Sequence, residues 1–236
     1  MISLERRNGR PLRIGHRGAA TLAPANTLPS LRAALEVGVD LIEFDVCTRR
    51  DGELVVSHSP GEIQSETPTL EEILTFFVEE APAIGVHLDL KQFGREREVV
   101  EALRRFDLSE RGFVSTVYLR TTRKIAELGG VRAGITIPRA VFGISDDGRG
   151  APIARSGLRA LRRTTPALVR PLLEISRASA VVMHHSIVTA AAVRAAHARG
   201  AAVVTWTVDD ADELARVDDA GVDAIVTNDP RLFLSN

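Results

Sequence analysis

Five residues near the N-terminus of this chain have side chains suited to acid–base, metal and phosphate chemistry. Each of them lies at or near the end of a run of β-forming residues. In combination they could hold a divalent cation, neutralise a phosphate and move a proton at both ends of one bond. They are His16, Arg17, Glu43, Asp45 and His58.

The acidic residues predict a cation site. Glu43 and Asp45 are two residues apart in a predicted strand, Leu41–Val46, so both carboxylates point to the same face of it. Two converging carboxylates repel each other unless a cation or a proton lies between them, and Mg²⁺ or Ca²⁺ suits carboxylate oxygens best. Asp89 shares a face with Lys91 in the third predicted strand and could supply the third ligand. Lys91 would then lie near a substrate phosphate, whereas the alternative is a set of solvated charges on exposed strands.

Two histidines form a candidate general acid and base. One imidazole of His16 and His58 could accept a proton while the other donates one, and the sequence leaves open which does which. A lone histidine is more often structural, which is how we interpret those at 184, 185 and 197. Arg17 presents a planar fork suited to phosphate oxygens. Trp206, the only tryptophan, could form a wall against an alcohol or glycerol group, with core packing as the alternative.

Apolar runs rich in valine, isoleucine and leucine alternate with amphipathic segments of helical period, which predicts a parallel sheet covered by helices on both faces. Eight such strands closed into a (β/α)8 TIM barrel fit both their number and the chain length. The predicted strands are Leu12–His16, Leu41–Val46, Gly85–Lys91, Gly112–Val117, Arg132–Ile137, Ala180–His184, Ala202–Val208 and Ala224–Thr227.

The connecting segments predict helices, a hairpin and one long loop. The turn signal Asp51-Gly52 predicts that Glu53–His58 forms a short hairpin with the second strand. Asn26 or Thr27 could cap the helix that follows them. The glycine-rich segment 138–153 is the longest predicted loop and could be a lid. The predicted helices include Leu28–Val37, Arg95–Phe106, Arg120–Leu128, Ala190–Arg199 and Asp210–Ala220.

Composition excludes several classes of function. The 236 residues carry 30 basic and 31 acidic side chains, which argues against a nucleic-acid binder held by a large positive field. Cys47 is the only cysteine, so an intrachain disulfide and a cysteine-based zinc cluster are excluded. We find neither a signal-peptide core nor an integral membrane segment. We expect a single cytoplasmic domain over residues 1–236. The sequence leaves open whether the protein forms a homo-oligomer.

Motifs along almost the whole chain resemble those of the glycerophosphodiester phosphodiesterase family. The matching elements follow the family order, which is far more specific than any single motif. They are His16-Arg17-Gly18, the Pro24, Asn26 and Thr27 element, Glu43-x-Asp45-Val46, Asp51-Gly52, Val55-Val56-x-His58, Leu70-Glu71-Glu72-Ile73-Leu74, Asp89-Leu90-Lys91, Trp206-Thr207-Val208 and Thr227-Asn228-Asp229-Pro230.

The resemblance implies a (β/α)8 barrel that uses one Mg²⁺ or Ca²⁺ ion to hydrolyse glycerophosphodiesters to glycerol 3-phosphate and an alcohol. By position it implies His16 and His58 as acid and base, and Arg17 and Lys91 as phosphate-binding residues. It implies Glu43, Asp45 and Asp89 as metal ligands. The chain departs from the family pattern at Ala25, where glutamate is usual, at Ser59, where aspartate is usual, and at Asp89, which is one methylene shorter than the usual glutamate.

Three other functions remain open at this point. A lysophospholipase D-type enzyme acting on single-chain lipids would need an apolar groove beside the site. A non-catalytic barrel would bind phosphate esters without forming product. A metal-dependent lyase or isomerase would account for the acids but would leave Arg17 and the paired histidines without a purpose.

Overall fold

The computed structural model of the chain describes residues 1–137 and 152–234. Within these ranges the strands are β1 Leu12–Gly15, β2 Leu41–Thr48, β3 Leu54–Val56, β4 Gly85–Leu90, β5 Gly112–Thr116, β6 Arg132–Ile137, β7 Ala180–His184, β8 Ala202–Trp206 and β9 Ala224–Thr227. The helices are α1 Leu28–Val37, α2 Leu70–Glu79, α3 Glu96–Arg105, α4 Leu119–Leu128, α5 Pro152–Ser176, α6 Ala190–His197 and α7 Ala211–Asp219.

Eight of these strands form a closed parallel barrel, as the sequence predicts. The order around the barrel is β1, β9, β8, β7, β6, β5, β4 and β2, and pairing of β2 with β1 closes it. Strand β3 lies outside this ring and pairs antiparallel with β2, with Val46 opposite Val56. The predicted hairpin after the second strand is therefore confirmed, and its turn uses Gly52 at a φ of 97°.

Side-chain alternation along the strands separates two hydrophobic layers. Residues on the outer face of β2, such as Phe44, pack against the helices, where the Phe44 and Phe77 rings lie 5.8 Å apart. Residues on the inner face, such as Leu41 and Phe113, fill the lower part of the barrel. Gly134 makes room for the ring of Phe113, because a Cβ atom at that position would lie 2.6 Å from it. These side chains pack the lower part of the barrel interior.

Two sequence predictions concern the segments that precede helices. Thr27 is the residue that caps α1, since its side chain accepts from the backbone N–H of Ser30 in a reciprocal capping box. Residues 138–151 of the predicted long loop, 138–153, lie outside the described residues, and its last two residues are helical because α5 begins at Pro152. Across the parts of the chain that the structure describes, every helix is too short or too polar to cross a lipid bilayer.

Candidate active site

The three predicted cation ligands converge at the carboxyl-terminal end of the barrel. Glu43 and Asp45 lie on the inner face of β2, and Asp89 lies on β4 directly opposite Asp45 in the strand register. One carboxylate oxygen from each of the three lies within 4.8 Å of the others. The shorter side chain of Asp89 thus still reaches the cluster, which places three hard oxygen donors around one point.

Burial and crowding give these acids unusual proton affinities. Burial, together with the charge of Asp45, raises the pKa of Glu43 to about 8. Burial also opposes ionisation of Asp45, but the charge of Lys91 and contacts with His58 and Arg17 overcome it and hold the pKa of Asp45 well below its usual range. A cluster that takes up a proton to relieve repulsion is suited to a divalent cation, and carboxylates are the ligands that Mg²⁺ and Ca²⁺ prefer.

Lys91 supplies a positive charge inside the same cluster. Its Nζ atom lies 2.7 Å from Asp45 Oδ1 and also contacts Asp89 Oδ2. Burial alone would lower the pKa of Lys91, but the charges of Asp89 and Asp45 raise it far above its usual value. The ammonium is therefore charged across the whole physiological pH range and is available to attract a phosphate.

The loop after β1 brings Arg17 onto the acids. The backbone N–H of Arg17 donates to Glu43 Oε2 at 2.9 Å. Its Nε atom lies 2.9 Å from Asp45 Oδ2, in an ion pair not aligned as a hydrogen bond. The loop turns at Gly18, with a φ of 87°, and a Cβ atom there would lie 2.4 Å from the hydroxyl of Ser30 on α1. Only glycine allows this close approach, so the position of Arg17 depends on it.

The two candidate catalytic histidines flank the acid cluster. His16 follows β1, and its Nε2 atom lies 3.9 Å from Glu43 Oε2, while its Nδ1 atom is 2.7 Å from Asn228 Oδ1. Burial, with the charge of Arg17, lowers the pKa of His16. His58 follows β3 and is more exposed, and its Nδ1 atom lies 3.2 Å from Asp45 Oδ2 and 3.0 Å from Arg17 Nη2. Because both contacts of His58 use Nδ1, Nε2 is the nitrogen that can face a substrate.

A cavity of about 210 Å³ contains this chemistry. Its wall includes seven of the eight residues that the sequence singled out, and Asp45 lies fully buried behind them. Trp206 on β8 forms one side, and apolar residues from β7 and β9 lie next to it. The predicted residues on the wall are His16, Arg17, Glu43, His58, Asp89, Lys91 and Trp206.

The three histidines that we interpret as structural lie outside this wall. The ring of His184 packs edge-on against Trp206, with 5.2 Å between the ring centres. His185 is bound to Glu213, and His197 Nε2 lies 2.8 Å from Asp223 Oδ2.

Sequence reasoning missed several residues that support the site. Asn26, which the sequence suggested only as a cap, donates from Nδ2 to Asp45 Oδ2 at 2.9 Å and accepts from the Asp45 backbone N–H at 3.1 Å. Its φ of 62° is a conformation that asparagine tolerates better than most residues. Ser115 on β5 donates to Asp89 Oδ1 at 2.8 Å and pairs with His87 Nε2 at 2.9 Å. Burial lowers the pKa of His87 to about 4, so this imidazole is neutral.

Comparison with known proteins identifies the family of the chain. The model of the glycerophosphoryl diester phosphodiesterase family matches residues 16–80 and 62–232 of the chain. The chain is 26% identical to a glycerophosphodiester phosphodiesterase of Caldanaerobacter subterraneus over 94% of this chain and 96% of that protein. The fold and the site define a class of protein, the TIM barrels with acids and histidines at the carboxyl-terminal end. The chain belongs to the glycerophosphoryl diester phosphodiesterase family.

Solved structures show the same fold. A glycerophosphodiester phosphodiesterase from Parabacteroides distasonis superposes with a TM-score of 0.72 at 19% identity, covering 94% of this chain and 95% of that one. A phosphodiesterase from Oleispira antarctica, in complex with its product sn-glycerol-3-phosphate, superposes with a TM-score of 0.67 at 22% identity. This superposition covers 95% of this chain and 96% of the Oleispira antarctica chain.

Proposed function

We propose that this enzyme hydrolyses glycerophosphodiesters to glycerol 3-phosphate and an alcohol, with one Mg²⁺ or Ca²⁺ ion held by Glu43, Asp45 and Asp89. The observation that carries the proposal is the convergence of these three carboxylates between two histidines in a cavity that also contains two cationic side chains. The product complex of the Oleispira antarctica phosphodiesterase, a member of the same fold, supports glycerol 3-phosphate as the product. When bound, the cation would neutralise charge on the phosphate and lower the pKa of a bound hydroxyl.

The hydrogen bonds of the two imidazoles support different roles for them. His16 Nδ1 lies 2.7 Å from Asn228 Oδ1, an oxygen that can only accept, so a neutral ring would carry its proton on Nδ1 and its lone pair on Nε2, the nitrogen on the side of Glu43. We assign His16 Nε2 as the base that takes a proton from the attacking hydroxyl, either of the glycerol group or of water. His58, on the open side of the cavity, would donate a proton to the alcohol oxygen as its bond to phosphorus breaks.

The remaining predicted residues would bind the substrate. Arg17 and Lys91 would attract the phosphate oxygens, because both carry positive charge into the cavity wall. Trp206 would pack against the glycerol or alcohol group on the opposite side.

Turnover of glycerophosphocholine, measured as choline release while Mg²⁺ or Ca²⁺ is titrated, tests the proposal. His16→Ala and His58→Ala should each lower kcat by about 10²- to 10⁴-fold, the usual contribution of one general acid or base. His197→Ala is the matched control, because His197 bonds Asp223 outside the cavity and its loss should leave kcat within a few-fold. Full activity of either catalytic variant would refute the assignment, and binding of the ester without choline release would indicate a non-catalytic barrel.

One observation favours a single-chain lipid as a second candidate substrate, cleaved by the same chemistry. A larger and mainly apolar cleft of about 810 Å³ adjoins the site and shares Val117 and Thr136 with it. Its lining includes Phe93, a residue that is 73% exposed, and Tyr118, whose ring lies 5.7 Å from that of Phe93. Faster choline release from lysophosphatidylcholine than from glycerophosphocholine, lost in Phe93→Ala, would support this lysophospholipase D-type activity. Equal loss on both substrates would count against it.

A further inference from the structure

Three side chains that follow neighbouring barrel strands form a continuous hydrogen-bonded chain. Asp209 follows β8, Asn228 follows β9 and His16 follows β1. Asp209 Oδ2 accepts from Asn228 Nδ2 at 2.6 Å, and Asn228 Oδ1 lies 2.7 Å from His16 Nδ1. Asp209 is connected to the candidate catalytic base through the amide of Asn228.

The chemistry of these groups allows one arrangement of protons. A carboxylate only accepts hydrogen bonds, so the NH₂ group of Asn228 must face Asp209. The carbonyl oxygen of Asn228 then faces His16, and because that oxygen also only accepts, the ring proton of neutral His16 must be on Nδ1. The lone pair is therefore on Nε2, the nitrogen on the side of Glu43.

We propose that Asp209 is a positioning residue that sets the tautomer of His16 through Asn228, an inference that rests on the proposed role of His16 Nε2 as the base. Neither Asp209 nor Asn228 has to touch the substrate for this role. The role requires only that the amide of Asn228 cannot turn over. Asp209 prevents this because its Oδ2 atom accepts from the NH₂ group of Asn228, while its Oδ1 atom is fixed by other donors.

The second contact of Asp209 is what makes the role testable. Asp209 Oδ1 accepts from the backbone N–H of Asn228 at 2.8 Å and from the hydroxyl of Thr227 at 3.0 Å. In Asp209→Asn the amide oxygen must stay on this backbone donor, so the new NH₂ group falls opposite the NH₂ group of Asn228. Asn228 relieves this clash by turning over, which presents its NH₂ group to His16 Nδ1 and moves the ring proton to Nε2.

The first measurement is the ¹⁵N spectrum of the imidazole rings in the 236-residue chain, with the His16 signals identified by their absence in His16→Ala. The wild type should show the Nδ1–H tautomer for neutral His16, and Asp209→Asn should show the Nε2–H tautomer. Asp210→Asn is the matched control, because Asp210 undergoes the same change one residue away but caps α7, where asparagine is an equally good cap. It should leave the His16 signals unchanged.

The second measurement is turnover of glycerophosphocholine by the same variants. Loss of the carboxylate that orients a catalytic histidine costs about 10⁴-fold in kcat in serine proteases, and we expect Asp209→Asn to lower kcat at least about 100-fold with KM changed only a few-fold. The exchanged pair, Asp209→Asn with Asn228→Asp, restores every donor and acceptor. It should return both the Nδ1–H tautomer and most of the lost kcat.

The outcomes separate the two proposals. Two results would overturn the positioning role. One is a His16 ring that keeps the Nδ1–H tautomer in Asp209→Asn. The other is an exchanged pair that is folded, as measured by circular dichroism, but is as inactive as Asp209→Asn. A switch of tautomer without loss of kcat supports control of the ring by Asp209 but refutes the function proposed for His16. If Asp209→Asn does not fold, the exchanged pair still tests the inference, because its His16 must show the wild-type tautomer.

Discussion

Cation binding by this enzyme should depend strongly on pH, because one proposed ligand holds a proton at neutral pH when no cation is bound. The pKa of Glu43 is raised to about 8 by burial and by the charge of Asp45. A cation bound through Glu43 must displace this proton, so its affinity falls as the pH falls. The sign is unambiguous, since only the deprotonated carboxylate is a ligand.

The magnitude follows from competition between the cation and one proton. With a pKa of about 8 for Glu43, the affinity is reduced about 2-fold at pH 8, about 11-fold at pH 7 and about 100-fold at pH 6. Between pH 8 and pH 6 the dissociation constant should therefore rise about 50-fold, which corresponds to about 2.3 kcal/mol. At pH 7, binding of one cation should release about 0.9 protons.

Isothermal titration calorimetry with Mg²⁺ and Ca²⁺ measures both quantities, the affinity at each pH and the proton release from the binding heats in buffers of different ionisation enthalpy. Glu43→Gln should bind the cation more weakly and lose most of the pH dependence. Glu62→Gln, which removes an exposed carboxylate beside Ser59, is the control and should keep both the affinity and the slope. Equal affinity of the wild type at pH 6 and pH 8, or tighter binding at pH 6, would refute the reasoning.

Three further variants test the support of the site and the fold. Asn26→Ala removes both hydrogen bonds to Asp45 and should weaken cation binding by about 10- to 100-fold in calorimetry, whereas unchanged affinity would show that Asp45 needs no such partner. Gly18→Ala combines a φ of 87° with a clash against α1 and should lower the free energy of unfolding by about 3 kcal/mol, against about 1 kcal/mol for Gly38→Ala, where a Cβ atom meets nothing. Burial opposes ionisation of Glu96, but hydrogen bonds from Lys124 and from the Gly94 backbone N–H overcome it and lower the pKa to about 2. The stabilisation from ionised Glu96 is therefore present above about pH 4.5 and is lost toward pH 2. Glu96→Gln should therefore be less stable than the wild type by about 3 kcal/mol at pH 7 but nearly equal at pH 2, and a constant difference would contradict this.

Most of the barrel could be predicted, because the spacing at which apolar residues recur is a local property of the sequence. Three predicted strands and the predicted helix Leu28–Val37 match the structure residue for residue. The strands are Arg132–Ile137, Ala180–His184 and Ala224–Thr227, and the other five barrel strands begin at the predicted residue and differ by one or two residues at their carboxyl-terminal end. The 25-residue helix α5 was not predicted. Its interior contains Pro166 and Pro171, residues that normally end a helical pattern, and tertiary packing overrides that signal here.

The departures from the family pattern have different consequences in the folded chain. Asp89 reaches the acid cluster in spite of its shorter side chain, because β4 places it directly opposite Asp45. Ala25 is exposed on the loop before α1. The hydroxyl of Ser59 donates to Glu62 at 2.8 Å.

The sequence by itself determined which side chains share a face of one element. Alternation along a strand is enough to place Glu43 beside Asp45, and a histidine–arginine pair at a strand end is readable as a candidate phosphate site. These conclusions need only the covalent geometry of a short segment.

Only the tertiary structure decided which atoms meet between elements. Asn228 binds His16 across 212 residues of chain, and Asn26 binds Asp45 while its neighbour Thr27 takes the capping role. Such contacts depend on strand register and on closure of the barrel, which bring distant strand ends together at one rim. No local pattern contains that information, because the same residues at the same spacing would not meet if the sheet were open.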